Sequence, residues 1–233
     1  MKITENFAVI DIETWTPTGK PDPEQDELRY VGFLAQGRKI CYHSSQTNEI
    51  QNAINYFDYL VGHNHINYDM PILKRYGIKF YGKHLIDTYK IADNRCKQMM
   101  YLDLNQGDRS LSSLCRIFNL THAKGSYDYS KLKATQLEGE DLKELTEYLY
   151  GDLEACNDLF QYFYDFFYGF REYMSEDNQR KMSWLTASAG STAYKCICHQ
   201  AQLKEEYDDT VEGKNKAYAG GFVSEPYIDF VEG

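Results

Sequence analysis

Apolar and polar positions along the 233-residue chain follow two periods, one of strands and one of helices. Residues 7–14, Phe-Ala-Val-Ile-Asp-Ile-Glu-Thr, form an apolar run that carries two acids and then stops. Val9 and Ile10 are β-branched, which predicts a buried strand. Residues 14–28 are polar, contain Pro17, Gly19, Pro21 and Pro23, and read as a loop. Tyr30 to Ala35 and Lys39 to His43 alternate on either side of Gln36-Gly37-Arg38, a hairpin pattern. Apolar residues at 50, 53, 54, 57 and 60 predict a helix over Glu49 to Leu60, and Leu60-Val61-Gly62 opens a short buried strand. His84 to Ala92 reads as another short strand leading into a helix. Ser110 to Leu120 reads as an amphipathic helix with Leu111, Leu114, Cys115 and Phe118 on one face.

The longest helical signal runs from Glu140 to about Phe167. Leu142, Leu145, Tyr148, Leu149, Leu153, Cys156, Leu159 and Phe160 recur there at three- and four-residue steps. The aromatic crowding over 162–173 reads as core packing. After Ser175 a charged break, Glu176 to Lys181, precedes a second helical region from Trp184 to Leu203. Residues 204–216 are strongly charged and expected to be exposed, and the chain ends on an extended stretch containing Gly220 and Gly221.

Composition changes this picture little. A net charge of −10 argues against a broad surface that tracks phosphates, though not against a local cleft where metal-held carboxylates receive one. Cysteines at 41, 96, 115, 156, 196 and 198 show no metal or disulfide framework, and Cys196-Ile197-Cys198-His199 is half of a metal pattern without its second half. They read as reduced thiols of a cytoplasmic protein. No signal-peptide pattern precedes Asp11, and no apolar run reaches membrane-spanning length.

The candidate chemistry lies in acids set on otherwise apolar patterns. Asp11 and Glu13 are two apart on a strand and project to one face; alone they read either as a strand end whose acids face water or as a buried pair that repels unless a cation sits between them. Asp69 is followed by Pro71, so it reads either as a helix N-cap or as a carboxylate turned toward a metal. Asn64 and Tyr68 lie close enough in sequence to flank a ligand with an amide and a ring. Each alone reads as a turn residue and a half-buried aromatic. Tyr148 and Asp152 are four apart and share a helix face, which places Asp152 on or beside an apolar stripe. It is either a rim residue or a buried charge met by a metal. Lys124, in a polar loop over 124–132, reads alone as a solvated charge.

Together these residues resemble the DEDD superfamily of 3′–5′ exonucleases in its tyrosine-containing branch. Asp11-Ile12-Glu13-Thr14 is similar to its first motif, Asn64 to Tyr68-Asp69 to its second, and Tyr148 to Asp152 to its third. Lys124-Gly125-Ser126-Tyr127-Asp128-Tyr129 resembles the lysine-bearing loop of protein-primed, bacteriophage-type family B DNA polymerases. Tyr218-Ala219-Gly220-Gly221 resembles the motif that joins their exonuclease and polymerase halves. The chain departs from that family near Asp103-Leu104, where a Ser or Thr is expected before Leu, and it lacks the palm motif. No polymerase activity is therefore expected.

The resemblance implies an α/β, RNase H-like (DnaQ-like) fold, a mixed five-stranded sheet flanked by helices. It implies an exonuclease domain over 1–175 and a connector over 176–233 toward a palm in a longer chain or in trans. Asp11, Glu13, Asp69 and Asp152 would hold two Mg2+ or Mn2+ ions. Tyr148 would orient the attacking water, Lys124 would contact the scissile phosphate, and Thr14, Asn64 and Tyr68 would position the terminal nucleotides of a single-stranded DNA 3′ end. Tyr129 would support the Lys124 loop. A free-standing nuclease acting on RNA or short oligonucleotides and a non-catalytic binding module of the same fold remain as rivals. A phage or mobile element acting in host cytoplasm is the source the resemblance implies.

Overall fold

A computed structural model describes residues 5–96, 100, 104 and 107–202. Its strands are β1 Phe7–Trp15, β2 Glu27–Ala35, β3 Arg38–His43, β4 Tyr59–Gly62 and β5 His84–Asp87, joined in one sheet of order β3-β2-β1-β4-β5. β2 is antiparallel to β1 and β3, whereas β4 is parallel to β1 and β5 to β4. The helices are α1 Thr47–Tyr56, α2 Asp69–Arg75, α3 Thr88–Ile91, α4 Leu111–Ile117, α5 Gly139–Phe167, α6 Glu176–Arg180, α7 Ser183–Thr186 and α8 Ala189–Gln200. A mixed five-stranded sheet flanked by helices is the expected α/β architecture, and it is compatible with an RNase H-like fold.

Strand alternation divides the core into two layers. Ala8, Ile10 and Ile12 of β1 pack with Ile50 and Ile54 of α1 and with Met70, Ile72 and Leu73 of α2. Val9 faces the other way, into a larger cluster built on Leu145, Leu149, Leu153 and Phe160 of α5. Asp11 and Glu13 continue the row that Val9 begins, so they emerge under α5.

How closely α5 approaches is set at Gly32. This residue pairs with Asp11 across the β1–β2 ladder, and a Cβ on it would lie 2.8 Å from Leu149 Cγ and 3.0 Å from Leu153 Cδ1. The missing side chain lets the helix rest on the sheet beside the two acids. Gly32→Ala is therefore expected to push α5 outward, costing about 1–3 kcal/mol through overpacking. Thermal unfolding in EDTA measures this, and an unchanged Tm would show that the helix has room to spare.

Several boundaries differ from the sequence expectation. The loop expected over 14–28 is shorter, because β1 and β2 stay paired through Thr14↔Leu28 and Trp15↔Glu27 past a register shift at Glu13/Thr14. The first helix ends at Tyr56 rather than Leu60, since Phe57 is extended and β4 begins at Tyr59. Asp69 is the first residue of α2 rather than its cap, which is Tyr68. The charged stretch after Ser175 is helical: the Ser175 side chain accepts from Asn178 N, and Glu176 and Asp177 occupy the first turn. The second helical region is broken at Ala187 and Ser188 into α7 and α8.

Residues 176–200 pack on the core. Trp184 is fully buried against Tyr164, ring centroids 5.0 Å apart. The buried Arg95 guanidinium donates to the carbonyls of Ala187 at 2.7 Å and Ser183 at 3.3 Å and to Thr192 Oγ1 at 2.8 Å, and it lies 4.7 Å from the centre of the Phe167 ring. One compact unit spans Met1–Leu203. Asp103, Tyr218-Ala219-Gly220-Gly221 and the charged stretch over 204–216 lie outside the described residues. Of the aromatics over 162–173, Phe163, Tyr164 and Phe167 are buried in the core as expected, while Phe166 and Tyr173 are half exposed. All six cysteines are free thiols. Among the described residues no helix is long and apolar enough to cross a membrane.

Candidate active site

β1, β4 and β5 share a direction, and their carboxyl ends open at one edge of the core. The chain leaves β1 at Trp15 toward β2, and it leaves β4 and β5 toward helices. Such a divergence of connections leaves a crevice beyond the strand ends, where α/β proteins commonly place ligands.

Into this crevice β1 delivers Asp11 and Glu13, and α5 delivers Tyr148 and Asp152 from above. One ligand oxygen from each of Asp11, Glu13 and Asp152 lies within 4.8 Å of the other two. Glu13, Asp69 and Asp152 are buried, at 4%, 5% and 1% exposure. Asp69 stands beside this trio: its carboxyl feels the Asp11 charge and leans, as Asp11 does, on the backbone amide of Ile12. The strand pair and the helix acid thus converge, while Asp69, the acid opening α2, feels the Asp11 charge without joining that group of three.

The cluster carries electrostatic strain. Burial, partly offset by the Lys124 ammonium, pushes the Asp11 carboxyl up to about 7. Burial and then the Asp11 charge hold both Glu13 and Asp69 well above the usual carboxylate range. Lys124 supplies the facing positive charge, with Nζ 2.7 Å from Asp152 Oδ2. Burial works against its ammonium, but Asp11 and Asp152 outweigh that cost and raise its pKa. Asp152 Oδ1 is buried without a hydrogen-bond partner. An orphaned carboxylate oxygen inside an all-oxygen acidic cluster fits a divalent cation of the Mg2+ or Mn2+ class.

Tyr148 is set by aromatic neighbours. Its hydroxyl is 2.7 Å from that of Tyr129, and Tyr127 stacks on its ring at 5.5 Å. Lys124 Nζ lies 5.5 Å from the ring centre. Burial, followed by the charge of Asp152, raises the Tyr148 phenol, which stays protonated at neutral pH. Through its hydroxyl, Tyr129, which follows the Lys124 loop, is tied to α5.

Thr14 and Tyr68 meet each other: Thr14 Oγ1 is 2.9 Å from the Tyr68 hydroxyl, which in turn donates to Asp26 Oδ2. Asp26 is fully buried and also accepts from Thr16 Oγ1 at 3.1 Å and the Asp22 amide at 3.0 Å. Sequence reading missed Asp26 because it sits in a polar stretch rich in proline. The only signal was an acid directly before the resumption of an apolar run. Tyr68→Phe removes the hydroxyl that joins the two segments. A loss of about 1–3 kcal/mol is expected, because Thr14 and Asp26 each lose a partner in a half-buried setting. Urea denaturation checks this, and an unchanged midpoint would mean the chain from Thr14 to Asp26 contributes nothing.

Asn64 occupies the turn after β4 with a positive φ of 59°. Its side-chain oxygen accepts from Asn67 Nδ2 at 3.2 Å.

No family model and no curated protein matches this chain. Among solved structures, the family B DNA polymerase from the hyperthermophilic archaeon Pyrobaculum calidifontis matches with a TM-score of 0.61 at 16% identity. The match covers 89% of this chain and 31% of the polymerase. It is a likeness of fold, and the chain spans about a third of that polymerase's length.

Proposed function

We propose that this chain is a metal-dependent 3′–5′ exonuclease domain that removes nucleoside monophosphates from single-stranded DNA, of the proofreading kind attached to family B polymerases. The convergence of Asp11, Glu13 and Asp152 around an unpartnered Asp152 oxygen carries this reading. Lys124 reaches this group through Asp152, and its ammonium lies 5.5 Å from the Tyr148 ring centre.

Asp11, Glu13 and Asp152 would hold the metal ions, with Asp69 completing the set beside Asp11. Bound Mg2+ or Mn2+ would supply Lewis-acid stabilisation of the phosphate and help ionise the attacking water. The protein's own groups do the positioning. The protonated Tyr148 hydroxyl, held by Tyr129, can donate a hydrogen bond to the water and fix its lone pair toward phosphorus; its raised pKa makes it a poor base. The Lys124 ammonium can turn from Asp152 to a non-bridging phosphate oxygen, where charge builds as the water oxygen bonds to phosphorus; the electron pair of the breaking P–O bond leaves on the 3′ oxygen of the shortened strand. Asn64 and the Thr14–Tyr68 pair would receive the terminal nucleotide, with the Tyr68 ring free to stack while its hydroxyl is engaged. Residues 1–175 form the exonuclease domain in this reading. Residues 176–233 serve as the connector toward a polymerase palm in the same chain or in trans.

The test is a 5′-labelled single-stranded DNA oligonucleotide incubated with Mg2+, Mn2+ or EDTA. A ladder shortening from the 3′ end, abolished by EDTA, is expected. Strand binding without shortening in either metal would replace the enzyme with a binding module, and faster digestion of RNA would move the substrate class.

A further inference from the structure

The turn that carries Asn64 and leads into Asp69 is fixed from a neighbouring strand. Asp87, the last residue of β5, is 2% exposed and pairs with Gly62 across the β4–β5 ladder. Its carboxylate receives three backbone amides: Asn64 N at 2.8 Å and Tyr89 N at 3.0 Å on Oδ1, and Ile66 N at 3.1 Å on Oδ2. Backbone amides thus satisfy a buried charge, and two of the three belong to the turn.

The surroundings leave the turn little freedom to choose another path. Thr88 Oγ1 donates to the Gly62 carbonyl at 3.2 Å and lies 2.9 Å from His63 Nδ1. The His65 ring covers Gly62 so closely that a Cβ there would come within 2.0 Å of Nδ1. The His65 carbonyl accepts from Met70 N at 2.8 Å, in the first turn of α2. Asparagine adopts the left-handed φ of 59° at little cost. The Asp87 carboxylate, holding the amides of Asn64 and Ile66, ties the turn in that conformation to β5.

We propose that Asp87 is a positioning residue for substrate: by holding the amides of Asn64 and Ile66 it aims the Asn64 side chain at the terminal nucleotide. This rests on the exonuclease reading above, in which Asn64 meets the 3′ end. Asp87 touches neither substrate nor metal in this assignment; it acts through the turn, and its charge reaches the acidic cluster only as a minor repulsion on Asp69. Its acidity is essential, because three converging N–H groups need acceptors that an amide can supply only in part.

Asp87→Asn is the test, since it keeps shape and replaces one acceptor oxygen with a donor. KM for a single-stranded DNA 3′ end should rise about 10-fold or more, with kcat in Mg2+ within about 3-fold of wild type, as expected for misplacing a substrate-positioning group. Mn2+ affinity should change far less than KM, since the Asp87 charge reaches the cluster only through its minor repulsion of Asp69. Amide hydrogen exchange at Asn64 and Ile66 should accelerate while that of Ile10 in β1 does not. Asn64→Ala should raise KM similarly, and the double variant should add little, because both act through one group. Should Asp87→Asn fail to fold, Asp87→Glu carries the same comparison.

Faster exchange at Asn64 with an unaltered KM would reduce Asp87 to a structural clamp and overturn the inference, as would fully additive effects in the double variant. A wild-type protein without metal-dependent digestion would instead sink the exonuclease reading. An active wild type with an unaffected Asp87→Asn variant would sink only the positioning role.

Discussion

Asp11→Asn is expected to abolish digestion and, at the same time, to make the metal-free protein more stable. Asp11 sits beside Glu13, Asp69 and Asp152, and burial and mutual repulsion disfavour the ionisation of Asp11, Glu13 and Asp69. Its folded pKa, about 7 against an ordinary 3.8, means that the native state holds a proton the unfolded chain has released. Where the native state binds more protons, stability falls as pH rises. The Asp11 contribution to the stability of the wild-type protein in EDTA should therefore be lost as pH climbs from about 4 to about 7. The amide of Asn carries no charge to desolvate. At pH 8 the variant should be more stable by about 2 kcal/mol, roughly 4–8 °C in Tm for a chain of this size. Its decline with pH should be shallower by about one proton, with Glu13 and Asp69 still contributing.

Activity should move the other way. Losing one ligand of the cluster removes several kcal/mol of charge stabilisation, so at least about a 10³-fold fall in kcat is expected. The two measurements are a Tm series in EDTA across pH 5–8 and the labelled-oligonucleotide assay in Mg2+. An Asp11→Asn protein that is inactive but no more stable in EDTA would show that the acids are not strained in the metal-free state. Added Mg2+ should also narrow the gap in Tm, since only the wild type can use it to neutralise the cluster.

The parts of this site legible in the sequence are those written with local periodicity. The alternation through Val9, Asp11 and Glu13 shows which residues share a face, and the four-residue step from Tyr148 to Asp152 shows the same on α5. The parts that escaped are set by distant partners. Asp26 meets Tyr68 across 42 positions and Asp87 meets Asn64 across 23, and neither acid stands on a strongly periodic stretch. Asp87 did carry a faint signal, an acid closing a short apolar run just as Asp11 does. Gly32 read as one more hairpin residue, because its meaning lies in the helix that rests on it. By its charge the stretch after Ser175 reads as a break, although a serine followed by two acids is also how helices begin. Charge composition and capping gave opposite answers there, and the cap won.

Lys124 makes the strongest case that one side chain has two tasks in this site. Its ammonium is 2.7 Å from Asp152 Oδ2 and interacts with Asp11, two of the three acids whose oxygens converge. In the metal-free protein it is the counter-charge of the cluster, and an arriving cation must compete with it for Asp152. Lys124→Met keeps the aliphatic stem against the Tyr148 ring and removes only the charge. Three effects should follow together. Digestion in Mg2+ should fall about 10²-fold, the loss typical of one donor to developing charge. Metal-free stability near pH 8 should fall by about 2 kcal/mol, less than the cost of breaking a fully buried pair because Lys124 is partly exposed. Mn2+ affinity, read by calorimetry, should rise about 10-fold, or 1.4 kcal/mol, because no ammonium has to be displaced. The opposed signs are the diagnostic feature. A residue that only touches phosphate would lower activity and leave metal affinity and metal-free stability where they were, and that pattern would refute the counter-charge role. A weaker Mn2+ affinity would go further, showing that the ammonium orders the carboxylates for the metal instead of standing in its place.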